Sequence, residues 1–598
     1  MPKLFLMGNE AIALGSLHAG VNLVAGYPGT PSTEILETAA KRNDGSVYVE
    51  WSVNEKAALE LAAGASYAGA RTLVTMKQVG LNVASDPLMS LAYIGVKGGM
   101  VIVSADDPGP ISSQTEQDTR HFARFSKLPV FDPSSPEEAY LMVKAAFELS
   151  EKYNTPVLLR PTTRVCHGCA SVEVSESKTE HKPEGFIRDT QRWVIFPRTA
   201  YLAHVNIEKR NPSIGDELSY SPYNRLVKGG KKGIACGGIS YAYVCEALDG
   251  VKHDAALLKV GTPHPFPEKL ALDFLEGLEE VMVIEELDPV IERELIYICG
   301  KYHLNVNING KLSGCVQPAG ENTVESVKQI LSKFLEINYP ALGNTQPLPA
   351  LPVRPPVLCA GCPHRASFYA VKQAVKGRKA VFCGDIGCYT LGNAQPLDMV
   401  DTCLCMGADV TIAQGIKRVE PDTLSFAFIG DSTFFASGLT GVVNAVYNNT
   451  DIILVVLDNS TTAMTGHQPH PGTGLKMTPE PGHKISIERV LEAIGVSYLK
   501  VVDPFDLKAA VNTVKEAAEL KGVRAVIFRS PCIAIIKPAP GFEVSDKCIK
   551  CKKCIRELGC PAIVIDDEKV KIEASLCYGC AVCAQVCPVK AITLTGVK

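Results

Sequence analysis

The chain has 598 residues, enough for several domains at about 100–200 residues each. Its hydrophobic share of 46%, charged share of 21% and net charge of −4 are those of a globular protein, with no electrostatic case for nucleic acid or an anionic membrane. No apolar run reaches the ~18 residues of a bilayer span. The N-terminus meets Asn9 and Glu10 too early for a secretory signal, so a soluble cytoplasmic chain is expected, whose 21 cysteines point to metal rather than disulfides.

Residues 1–165 read as an α/β domain, with apolar runs at Val21–Ala25, Val47–Trp51, Thr72–Met76, Met100–Ser104 and Pro156–Leu159. The first run leads into GYPGTPSTE, in which Thr30 to Glu34 reads as the entry to a helix. The second precedes NEKAALELAAGASYAGA, an Ala/Gly-rich helix opening on Glu55. A carboxylate in a first helical turn is common because the backbone dipole favours it. A buried one can also protonate a heteroaromatic nitrogen. Residues 166–227 are polar and read as a linker with some helix. Cys166 and Cys169 form a CxxC pair with no second pair nearby, and read as free thiols. Residues 228–340 form a second α/β unit whose Gly-rich turn, ACGGIS, lacks the spacing of a dinucleotide site. A Pro-rich, semi-rigid linker follows at 341–356.

Residues 357–540 hold a strand–helix–strand pattern: Leu424–Ile429, Gly438–Tyr447 and Ile452–Leu457. A right-handed parallel crossover brings Asp431 and Asn459 together at the carboxyl ends of two strands, where open α/β sheets bind ligands. With a backbone carbonyl such as that of Thr461 they suit Mg²⁺ carrying a diphosphate. A surface Asp and a turn Asn fit the same residues. The polar, Gly-rich loop TTAMTGHQPHPGTG follows and could cover the diphosphate or line a substrate cavity.

The tail, 541–598, carries Cys548, Cys551, Cys554 and Cys560-Pro, then Cys577, Cys580, Cys583 and Cys587-Pro. Zinc also uses CxxC pairs. Two complete CxxCxxC runs, each closed by Cys-Pro, favour iron–sulfur clusters, whose two redox states soft thiolates stabilise.

Several of these stretches resemble known families. Gly430, Asp431 and Asn459, with Ser432 in place of a third glycine, resemble the thiamine diphosphate motif. That resemblance implies Mg²⁺ held by Asp431, Asn459 and the Thr461 carbonyl, Glu55 on the aminopyrimidine, and Thr30 as a further cofactor contact. The tail resembles a bacterial two-cluster ferredoxin. One [4Fe–4S] cube would take Cys548, Cys551, Cys554 and Cys587, the other Cys577, Cys580, Cys583 and Cys560. Five residues rather than three separate Cys554 from Cys560.

The whole chain resembles the α subunits of the indolepyruvate branch of the 2-oxoacid:ferredoxin oxidoreductases, through YPGTPSTE, NEKAALELAAGAS, CPHR, DIGCYTLG, DTCLCMGA, GDSTFF and LDNSTTAMTGHQPHPG. The implied fold class is multidomain α/β: two thiamine diphosphate-binding domains, a transketolase-C-like domain over 228–340, and the small ferredoxin. The implied reaction is CoA-dependent oxidative decarboxylation of aryl 2-oxoacids, with electrons passing to ferredoxin. A smaller β subunit carrying a γ-type domain is expected, in an α₂β₂ assembly. Cys359, Cys362, Cys388 and Cys532 sit where related enzymes bind a third cube, though they also read as buried thiols. The rival readings are a non-redox thiamine diphosphate decarboxylase and an electron-carrier subunit that has lost the cofactor.

Overall fold

The computed structural model describes residues 2–339, 350–478 and 480–596, so most of the Pro-rich linker lies outside the described residues. The chain forms two compact units, residues 1–347 and 348–598.

The first unit is built on a six-stranded parallel sheet. Its order is Tyr48–Trp51, Leu23–Gly26, Thr72–Lys77, Met100–Ala105, Val157–Leu159 and Val130–Phe131. Met100–Ala105 is buried at every position, as expected of a strand covered on both faces. The Ala/Gly-rich stretch forms the helix Glu55–Tyr67, capped by Asn54, whose side chain accepts from the Ala57 amide. Its small residues Ala58, Ala62 and Ala63 pack among Val74, Met76 and Leu81.

Much of the segment read as a linker is ordered. Cys169–Glu173 pairs antiparallel with Lys3–Met7, and Pro197–Leu218 is a 22-residue helix. A second sheet of five strands follows: Asn307–Asn309, Glu280–Ile284, Lys232–Cys236, Ala256–Lys259 and, antiparallel at the edge, Arg225–Val227. A buried ion pair ties this sheet to the first one: Arg120 meets Glu285 at 2.8 Å. On the first sheet's side, Arg120 also meets Asp118 at 2.6 Å, and Arg160 meets Asp106 at 2.6 Å and Asp132 at 3.2 Å. Removing one partner of such a set leaves an uncompensated buried charge.

The second unit has a five-stranded parallel sheet in the order Ala380–Cys383, Leu424–Gly430, Ile452–Asp458, Val523–Arg529 and Tyr498–Val502. Successive residues of its central strands feed opposite cores. Phe426, Phe428, Ile453, Val455 and Leu457 enter one, while Ala427, Ile429, Ile452, Leu454 and Val456 enter the other. The Cys-rich tail is made of two short antiparallel ribbons, Phe542–Val544 with Ile592–Leu594 and Ile563–Asp566 with Lys569–Ile572. It docks on the sheet domain: Leu558, Val582 and Val586 pack against Ala366, Tyr369 and Leu507. Arg365 Nη1 donates to the carbonyls of Leu558 (2.6 Å) and Gly559 (2.9 Å), and Tyr369 donates to Glu557 at 2.8 Å.

Candidate functional site

In the second unit, the strand Leu424–Gly430 turns directly into helix at Asp431. The helix passes through a π-turn at Phe434–Gly438 before continuing as Leu439–Tyr447, a feature often found at functional sites. A Cβ at Gly430 would lie 2.5 Å from the Tyr389 ring, so this position accepts only glycine without rearrangement. Asp431 is buried and oriented by backbone amides. Its Oδ1 accepts from Ser432 (2.9 Å) and its Oδ2 from Asn459 (3.1 Å) and Ser460 (2.7 Å). Two of those amides lie beyond the next strand, so the crossover brings Asp431 and the Asn459 turn together.

The surroundings have the character of a cation site that also meets a polar ligand. Asp458 lies against Asp431, and burial followed by that neighbouring carboxylate raises its pKa, although Arg529 pairs with it at 2.6 Å. Thr461 Oγ1 is buried without a hydrogen-bond partner, an unmet polar group in a site of this chemistry. Asn459 Nδ2 lies 3.1 Å from His364 Nε2. Burial pushes His364 down to about 4, so the neutral ring can accept from the amide and fix which way Asn459 Oδ1 faces. His470 Nε2 is 3.1 Å from Asp431 Oδ2. The oxygen-rich set suits a hard divalent ion such as Mg²⁺.

A second buried group supports the turn from behind. Tyr389 donates to Asp385 Oδ2 at 2.6 Å and lies 3.2 Å from Thr433 Oγ1, while Gly407 donates to Asp385 Oδ1 at 2.8 Å. Burial pushes Asp385 up to about 6. Asp409 is also raised, by burial and then by Asp385, and neither of its oxygens has a partner.

In the first unit, Glu55 is 8% exposed and packs against Gly80, where an added Cβ would lie 2.5 Å from its Oε1. Burial pushes Glu55 up to about 7, against the pull of Lys77. It is a carboxylic acid able to hold or release a proton near neutrality. Thr30 stands in a loop pinned from two sides. Asn9 Nδ2 donates to the Pro31 carbonyl at 2.6 Å, and Ser112 Oγ donates to the Thr30 carbonyl at 3.2 Å.

The tail cysteines gather as two crossed quartets. Cys548, Cys551, Cys554 and Cys587 line one small cavity, joined by Val544, Ile592 and Pro588. The Cys583 thiol is pushed up to about 12 by burial and then by Cys580, Cys560 and Cys577. Each quartet thus takes its fourth member from the other run. Cys388, raised to about 11 by burial, has Cys532 and Cys359 as neighbours, and Cys362 has Cys359. Arg365 has Cys560, Cys362, Cys580 and Cys359 as neighbours, so it stands between this third group and the tail. Cys166 is buried while Cys169 is exposed.

Reading the residues alone does not reach His364, His470, Asp458 or the Asp385–Tyr389 pair. His364 falls inside the noted CPHR motif, but its partner Asn459 lies 95 residues away and no spacing links them.

Comparison with known proteins gives the same outline. Residues 14–194 match the pyruvate flavodoxin/ferredoxin oxidoreductase thiamine diphosphate-binding family. Residues 385–528 match the C-terminal TPP-binding domain of thiamine pyrophosphate enzymes, and 570–593 match the 4Fe-4S binding domain. The chain is 42% identical to indolepyruvate oxidoreductase subunit IorA of Methanothermobacter thermautotrophicus, covering 99% of this chain and 98% of that protein. It is 43% identical to its counterpart in Thermococcus kodakarensis, covering 98% and 96%. Among solved structures, a 2-oxoglutarate:ferredoxin oxidoreductase from Magnetococcus marinus matches at 17% identity and a TM-score of 0.45, over 55% of this chain and 65% of that one.

Proposed function

The chain belongs to the indolepyruvate oxidoreductase subunit IorA family of thiamine diphosphate and iron–sulfur oxidoreductases, and from that premise we propose that it oxidises aryl 2-oxoacids, indolepyruvate among them, to the arylacetyl-CoA and CO₂. The near end-to-end similarity to proteins bearing that name carries the substrate reading. Thiamine diphosphate, when bound, supplies the carbon nucleophile and the electron sink for loss of CO₂. The chain's residues supply the rest. Glu55 holds a proton toward the aminopyrimidine, and its raised pKa suits exchange near neutral pH. Asp431, Asn459 and the Thr461 carbonyl hold Mg²⁺, and with it the diphosphate. His364 keeps the Asn459 amide turned so that an oxygen faces the metal. Thr30 contacts the cofactor from its pinned loop.

Iron–sulfur clusters, when bound, would supply one-electron acceptors. The two crossed quartets would each hold a [4Fe–4S] cube, and Cys359, Cys362, Cys388 and Cys532 would hold a third, with Cys532 also close to Asp431. That order, from the group beside the metal-binding turn to the tail, gives a path toward an external ferredoxin. A smaller β subunit completes the enzyme as α₂β₂ and coenzyme A takes the acyl group. Among the described residues no helix is long and apolar enough to cross a membrane.

The test is anaerobic dye reduction by the chain with its β partner, with and without CoA, across aryl and short 2-oxoacids. CoA-dependent reduction with indolepyruvate and little with pyruvate is expected. Release of CO₂ without dye reduction would make the enzyme a simple decarboxylase instead.

A further inference from the structure

The strand Thr72–Lys77 ends at Lys77, on the carboxyl edge of the first unit's parallel sheet, where such sheets bind ligands. The stem of Lys77 runs along the GYPGTP loop: a Cβ added at Gly29 would lie 3.2 Å from Lys77 Cγ. Its ammonium has Asp107 and Glu55 as charged neighbours but pairs directly with neither among the described residues. Asp107 is already engaged, accepting from Thr163 Oγ1 at 2.6 Å and from the Ser112 amide at 2.8 Å. Lys77 Nζ makes one hydrogen bond there, to the Ser112 carbonyl at 3.3 Å.

An ammonium carries three donors, and on the half-buried Lys77 one long contact to a carbonyl leaves most of that capacity uncommitted at the sheet edge. Burial lowers the proton affinity of Lys77 while the two carboxylates partly restore it. The next residue, Gln78, is fully buried; its Nε2 donates to the Thr115 carbonyl at 3.2 Å and its Oε1 has no partner, so an unmet acceptor lies next to Lys77 in sequence. An internal counter-ion would close on a carboxylate. Lys77 instead stays open between the loop, the strand end and the Glu55 helix.

We propose that Lys77 anchors an anion beside Glu55, and that this anion is the carboxylate of the 2-oxoacid substrate. The proposal rests on the reading of Glu55 as the residue that meets the cofactor. The reacting end of every 2-oxoacid carries a carboxylate, and an ammonium near the reacting centre fixes that end whatever the side chain. The phosphates of coenzyme A are the other anionic source, and kinetics separates the two.

The assembled enzyme with its β subunit is made with Lys77→Met and Lys77→Arg. Lys77→Met should raise KM for the aryl 2-oxoacid about 10–100-fold, the scale of a lost charged hydrogen bond, with KM for CoA unchanged. Lys77→Arg should return KM to within a few-fold of the native value. The inhibition constant of 3-phenylpropanoate should rise in parallel while that of its neutral amide holds. Thiamine diphosphate retained in equilibrium dialysis shows that either variant is folded. An unchanged 2-oxoacid KM, a rise confined to CoA, or equal loss of acid and amide would overturn the proposal. Exchange of the cofactor's C2 proton, followed by NMR without substrate, isolates the premise. Persistence of exchange in Glu55→Gln removes Glu55 from its role, whatever the Lys77 variants do to the KM for the 2-oxoacid.

Discussion

Glu55 is a carboxyl group whose neighbourhood prefers it neutral, and that preference has a sign in stability. Its folded value of about 7 lies above the ordinary 4.5, so between those limits the folded protein binds the extra proton. Stability of the cofactor-free chain should therefore fall as pH rises from about 4.5 to 7, by up to ~3 kcal/mol from this residue. Glu55→Gln should flatten that part of the curve, read as Tm against pH on the cofactor-free chain; an unaltered slope would show that the buried carboxyl is not its source. Glu55 is legible in the sequence because it opens a helix of small residues. Lys77 and His364 are not, since the first faces loops some 35 to 50 residues away and the second a turn 95 residues away.

The strand–turn–helix element around Asp431 works because nothing larger than glycine fits at 430. Gly430→Ala should press on Tyr389, at an overpacking cost of about 1–3 kcal/mol. The displaced turn should weaken thiamine diphosphate binding, measured by dialysis at fixed Mg²⁺. Native affinity in that variant would mean the turn tolerates the shift. Most strands are readable as short apolar runs, to within a residue or two: Leu424–Ile429 is observed as Leu424–Gly430 and Thr72–Met76 as Thr72–Lys77. The pairing of Lys3–Met7 with Cys169–Glu173 is not, because its partners lie some 165 residues apart. The helix Pro197–Leu218 escapes for a local reason: Pro212 interrupts it and only Ile207, Ile214, Gly215 and Leu218 are buried, too few for a clear apolar stripe.

At the scale of the molecule, iron is the most direct readout. Three cubes predict roughly 12 iron atoms per chain, and Cys359→Ala should lower the count toward about 8 while sparing the tail clusters. A native count of roughly 8 would restrict iron to the tail. Cys580→Ala should leave CO₂ release in a single turnover and stop reduction of ferredoxin. The grouping of the tail cysteines across the two runs is the one that spacing and resemblance lead one to expect. What spacing could not give is where the tail rests, which depends on Arg365 reaching the carbonyls of Leu558 and Gly559 and on an apolar seam with Ala366 and Leu507.

That clamp has a kinetic meaning. A tail held by buried guanidinium contacts and a closed seam is a fixed conductor, not a ferry that must swing between donor and acceptor. Hops within the chain should then be indifferent to solvent viscosity, and only the meeting with the external carrier should slow as the medium thickens.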